Sequence, residues 1–141
     1  MLHYKQLKQI VMNTTVFLLL RLGIAISMFG HGLVRLPKLQ TFSQWMIGIF
    51  EKSMLPKIVV VPFSYFLPIA ELTIGLLLFT GLFTKPALLL GGIMMLTLLF
   101  GTSMIENWEA IPSQLLHLLF CAILLQFIDS NIWSLDSLLG K

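Results

Sequence analysis

Residues 86–105 read PALLLGGIMMLTLLFGTSMI, twenty positions without one charged side chain. At about 1.5 Å per residue, a helix of that length reaches about 30 Å, the thickness of a bilayer's hydrocarbon core. Proline at its start suits the first turn of a helix, where its missing N–H is no loss. The rest of the chain agrees with this stretch. Of 141 residues, 57% are hydrophobic and only 11% are charged, and the mean hydropathy is +0.95. A soluble domain needs far more charge on its surface, so this is the composition of an integral membrane protein.

Working outward, Thr84, Lys85 and Pro86 form a tight turn, and before it residues 58–83 carry Glu71 as their one charged side chain. Pro62 and Pro68 are expected to bend the first half of that helix, which is tolerated where neighbouring helices cover the freed carbonyls. A first apolar segment spans residues 14–36 and contains Arg21, His31 and Arg35. Downstream, the polar loop Glu106, Asn107, Trp108, Glu109 precedes a fourth segment at 110–128, entered at Pro112. Four spans predict an all-α, antiparallel four-helix bundle forming a single membrane domain. The longer connection places Phe42, Trp45, Met46, Ile49 and Phe50 at i, i+3, i+4, i+7 and i+8, one face of a helix. The spacing predicts a short amphipathic helix over 41–52, lying in the membrane interface, with a loop packed over the bundle as the alternative.

Several function classes drop out. The net charge is +3 and the pI about 9.3, but nine basic residues scattered among apolar runs make no basic stripe, so no nucleic-acid partner is expected. Cys121 stands alone, without a Cys-x-x-Cys, which removes thiol relay chemistry of the vitamin K reductase type. Lys5 and Lys8 before an apolar run resemble the start of a signal peptide, but Arg21 interrupts the run and no small-residue cleavage site follows. The segment reads as a retained helix. Lys5, Lys8, Lys85 and Lys141 fall on one side of such a bundle and Arg35, Lys38, Lys52 and Lys57 on the other, so the count of positive charges is tied and orientation stays open.

Ionisable groups at membrane depth are costly and need a partner or a cavity. Measured from the side of the long connection, Arg21 lies about 22 Å deep and Glu71 about 20 Å, whereas His31 and His117 lie about 7–10 Å deep. Arg21 and Glu71, opposite in sign on consecutive helices, are therefore expected to form a buried ion pair. That pair either fixes helix register or takes part in chemistry. His31, His117 and Gln114 form a second layer, Gln114 and His117 being three residues apart on one helix face with Cys121 one turn on. Two histidines at matched depth suggest a polar pocket or a proton path. They would also serve as axial ligands of a haem b, a weaker reading that any two bundle histidines satisfy. A zinc or iron site with Glu71 is disfavoured by the difference in depth, and no metal-ligand spacing occurs. Glycines at 23, 30, 32, 75, 81, 91, 92 and 101 suit close helix contacts, Gly23 and Ser27 making a small-xxx-small pair.

Arg21-Leu-Gly, His31-Gly32 followed by Arg35-Leu and Pro37, Pro68 with Glu71, Gly81-Leu-Phe-Thr-Lys, and Ser134-Leu-Asp136 together resemble the DoxX family over nearly the whole chain. The resemblance implies a four-helix protein of the bacterial cytoplasmic membrane with both termini cytoplasmic. It also implies a redox setting, since founding members are associated with a thiosulfate:quinone oxidoreductase and relatives with redox homeostasis or the chaperoning of membrane proteins. The family's recurring polar positions fall on Arg21, His31 and Glu71, while Gln114 and His117 lie outside them. Without a cysteine motif, sulfur transfer lacks a nucleophile here.

The reading that follows is a membrane protein binding a quinone or similar amphipathic molecule in a pocket of His31, His117, Gln114, Arg21 and Glu71, possessing no metal. Quinone chemistry couples electrons to protons and so calls for titratable groups within the bilayer. The alternative is a non-catalytic accessory subunit or assembly factor of a larger membrane complex, with that complex or further copies of the chain as partners beside the lipid. A small-solute transporter is a third class, disfavoured because helices three and four do not mirror the polar groups of one and two.

Overall fold

The computed structural model describes residues 11–140, so Lys5, Lys8 and Lys141 lie outside the described residues. The chain runs through α1 (Thr14–Arg35), a 3-10 turn at Leu36–Lys38, α2 (Leu39–Phe50), α3 (Lys57–Thr80), α4 (Thr84–Met104), a 3-10 turn at Trp108–Ala110, α5 (Ile111–Gln126), a 3-10 turn at Ile128–Ser130 and the short α6 (Leu135–Leu138). Among the described residues, four stretches are long and apolar enough to cross a membrane: Thr14–Phe50, Lys57–Thr80, Thr84–Met104 and Trp108–Gln126.

The helix ends follow local chemistry. Asn13 caps α1, its side-chain oxygen accepting from the Thr15 N–H at 2.8 Å. Pro37, which has no N–H to donate, sits in the 3-10 turn where α1 gives way to α2. Gly81 ends α3 with φ 67°, a left-handed conformation that costs glycine little. Pro62 and Pro68 both lie inside α3, which continues through them.

A helix is present between the first two spans, at Leu39–Phe50, and its Phe42, Ser43 and Met46 are buried. It packs on the first half of α3, where the Ser43 and Ser64 hydroxyls are hydrogen-bonded at 2.6 Å. The α1–α2 arm therefore follows α3 well past the end of α1, and only residues 51–56 remain as the connection.

The most extensive helix contacts are α1 on α3 and α4 on α5. Two glycines set the first: a Cβ on Gly32 would run into the Leu72 backbone, and one on Gly75 into the backbone of Phe29. Residue numbers thus rise along α1 as they fall along α3. Gly23 and Gly30 face open space instead, so Gly23 does not serve as a close-contact glycine; its small-xxx-small partner Ser27 meets α5 through its hydroxyl, 2.7 Å from His117 Nε2. Spacing alone cannot say which side of a helix meets a neighbour. Phe17, Ile24, Met28, Leu67, Leu78, Leu88 and Leu124 form the buried core, while Leu19, Ile26, Phe66, Phe79, Ile93 and Leu116 are exposed. Large apolar side chains on the outside of a bundle suit a lipid surrounding. Met12 O accepts from Ser130 Oγ at 2.9 Å, so the two ends of the described chain meet at one end of the bundle.

Candidate functional site

Away from that end, a cavity of about 390 Å³ opens between α1, α2, α3 and the facing ends of α4 and α5. Much of its wall is apolar, including Phe42, Trp45, Met46, Ile49 and Phe50, the same α2 face that the periodicity marked out. Its polar groups include His31, Arg35, Glu71, Thr102, Gln114 and His117, drawn from all four spans. Of the residues expected in a pocket, His31, His117, Gln114 and Glu71 line this cavity; Arg21 does not.

The expected ion pair between Arg21 and Glu71 does not form. Glu71 pairs with Arg35, Nη1 to Oε2 at 2.6 Å, and the Arg35 guanidinium also lies 4.7 Å from the Phe42 ring centroid. The cause is register. The end of α1 and the start of α3 are not level, because α2 occupies the space beside the start of α3. With Gly32 opposite Leu72, Arg35 stands beside Glu71, and Arg21 lies about 18 Å further along the axis. Sequence reasoning missed Arg35 as a site residue. The available signal was its position seven residues after Met28 and fourteen after Arg21, on the same helical stripe.

The two histidines are neighbours, their ring centroids 6.3 Å apart and their planes inclined at 61°. His117 is fully engaged: Nδ1 is 2.7 Å from Ser113 O, and Nε2 is 2.7 Å from Ser27 Oγ. Neither nitrogen can ligate haem iron without breaking one of these bonds. His31 is bonded through one nitrogen, Nδ1 lying 3.1 Å from Ser27 O. Gln114 Oε1 accepts from Thr102 Oγ1 at 2.8 Å. Among the described residues no group of three His, Cys, Asp or Glu side chains is placed to hold a metal. Cys121 is buried against Gly91 and does not line the cavity.

Arg21 instead belongs to a second cluster at the opposite end. It is 3% exposed and donates from Nη1 to Asn131 Oδ1 at 2.5 Å and from Nη2 to Trp133 O at 2.8 Å, with the Asp136 carboxylate as nearby counter-charge. Asn131 Nδ2 donates to Thr84 Oγ1 at 3.0 Å. Asp136 accepts from the Phe83 and Thr84 N–H groups, each at 2.7 Å, and donates its own N–H to Gly81 O. A carboxylate on the first N–H groups of α4 satisfies donors that no helix carbonyl can reach, and its charge suits that end of the helix dipole. The segments Gly81-Leu-Phe-Thr-Lys and Ser134-Leu-Asp136, far apart in sequence, therefore meet as one structural clamp.

Four apolar helices long enough to cross a bilayer, around a cavity lined by both apolar and polar side chains, define a multi-pass helical membrane protein. The DoxX family model matches residues 16–104, well over half of the chain, and the chain belongs to that family. Gln114, His117 and Asp136 lie beyond the matched stretch. No curated protein and no solved structure matches the chain.

Proposed function

We propose that the protein binds a quinone or similar amphipathic molecule in the cavity, its polar head among His31, Arg35, Glu71 and Gln114 and its apolar part against α2, α3 and α4. The observation carrying this reading is the convergence of polar side chains from four helices on a largely apolar cavity. Ligand sites are largely apolar concavities with a few converging polar groups, and 390 Å³ lies within their usual range of roughly 300–1,000 Å³. A redox role follows if the ligand is a quinone, with the Arg35–Glu71 pair and His31 as groups that hold or pass protons. In this reading the four spans form an antiparallel bundle in a bacterial cytoplasmic membrane, both termini face the cytoplasm, and α2 lies near the membrane surface.

Thermal unfolding of the full chain in lipid nanodiscs, titrated with a short-tailed benzoquinone, tests the proposal. A ligand that binds only the folded state raises the midpoint with concentration. A midpoint unmoved up to millimolar ligand overturns the reading.

The second reading, an accessory subunit or assembly factor, draws on α5, the least covered of the four spans, with Leu115, Leu116 and Leu119 exposed. It predicts stoichiometric copurification with a larger membrane complex, undiminished by substitution of His31.

A further inference from the structure

The two cavity histidines differ in what they have left to offer a ligand. A carbonyl oxygen only accepts, so the Nδ1 of His31 on Ser27 O and the Nδ1 of His117 on Ser113 O must each carry the proton. In a neutral imidazole the other nitrogen is then a bare acceptor. For His117 that lone pair is filled by the Ser27 hydroxyl. For His31 no hydrogen bond to Nε2 forms among the described residues, and the side chain lines the cavity.

We infer that the polar lining around His31 selects a head group bearing a free hydroxyl, a hydroquinone or other phenol, over a head that presents only carbonyls. The inference rests on the ligand-binding reading above and names the form of ligand that the site takes. A hydroxyl donates to His31 Nε2 while its own oxygen accepts from the N–H groups of Arg35 beyond the one held by Glu71, or from the amide of Gln114. A quinone carbonyl answers those donors equally well but sets its lone pair against that of His31, leaving the acceptor unmet. A polar group left without its partner on binding weakens affinity more than a made bond strengthens it. His31 is the specificity-determining residue, and His117 holds Ser27 beside it.

The test uses the full chain in nanodiscs, kept anaerobic, with three probes of one skeleton: a 2-decyl-1,4-hydroquinone, the corresponding quinone and the dimethyl ether of the hydroquinone. Dissociation constants come from ligand-dependent thermal stabilisation. The hydroquinone is expected to bind about tenfold more tightly than the quinone, the value of one hydrogen bond, and the dimethyl ether no better than the quinone. His31→Leu should abolish the preference, weakening the hydroquinone for want of its acceptor and leaving the quinone, freed of an unmet acceptor, bound as well as before or more tightly. His31→Gln, whose amide oxygen can accept, should keep part of the preference. His31 is exposed and bonds only to a carbonyl of its own helix, so neither variant threatens folding. Equal binding of both forms, or a preference that survives His31→Leu, overturns the inference while ligand binding stands. Binding of none of the three overturns both.

Discussion

Arg35, the last residue of α1, and Glu71, in the middle of α3, are joined Nη1 to Oε2 at 2.6 Å at the edge of the cavity. Their side chains are 27% and 6% exposed, so Glu71 depends on this partner more than Arg35 does. The site and the clamp are separate clusters, because Arg21, the partner expected for Glu71 from the sequence, is held by Asn131 and the Trp133 carbonyl.

A double-mutant cycle should report that separation. Arg35→Met leaves Glu71 buried and unpaired and should cost about 2 kcal/mol, less than the roughly 3–5 kcal/mol of a fully buried pair because Arg35 reaches the surface. Adding Glu71→Gln should recover part of the loss, a coupling of about 1 kcal/mol or more in chemical unfolding. The cycle between Arg21→Met and Glu71→Gln should be additive. Coupling in the second cycle and none in the first would contradict the observed register.

Glycine substitutions probe the helix contact directly. Gly75→Ala and Gly32→Ala each drive a methyl into the backbone of the facing helix and should lower stability by about 1–3 kcal/mol. Gly23→Ala meets nothing within 4 Å and should be neutral or stabilising by up to about 1 kcal/mol, from helix propensity. Thermal unfolding of the three variants side by side checks the contrast, and equal effects would refute it.

Asp136 fastens the C-terminal segment to the start of α4. Asp136→Ala should cost about 1 kcal/mol, as loss of a helix cap does. Limited proteolysis of the variant should cut residues 127–140 faster than the wild type. Arg21→Met should do the same from the opposite side of the clamp, since Asn131 and the Trp133 carbonyl lose their donor. Unchanged cleavage in both variants would show that the clamp does not hold the segment.

The Met12 to Ser130 hydrogen bond brings the start of α1 and the segment after α5 together at one end of the bundle. Reporter tags fused to the two termini should therefore be found in the same compartment in cells. Opposite compartments would require an odd number of crossings and are incompatible with four spans.

Much of the architecture was legible in composition and period, because a bilayer imposes its demands locally. A segment either has about twenty apolar residues or it does not cross, and the spans predicted at 14–36, 58–83, 86–105 and 110–128 correspond to the observed α1, α3, α4 and α5. The apolar face of residues 42–50 was legible for the same reason, since a helix period is a property of neighbouring residues. Depth estimates likewise put His31 and His117 in one layer, and their rings stand 6.3 Å apart.

What the sequence by itself determined was therefore which segments are apolar helices and which polar residues are trapped within them, because each is decided within a few turns of chain. Only the tertiary structure decided the pairing of those polar residues. Arg21 and Arg35 are alike in charge and share a helical stripe, and nothing local says which of them meets Glu71. That choice is made by the contacts of Gly32 with Leu72 and of Gly75 with Phe29, and by α2 lying against α3. A shift of a few residues between two helices moves every facing pair by several ångströms. Sliding of that kind is fixed by backbone approach at the glycines, a property of two surfaces together that neither helix carries alone.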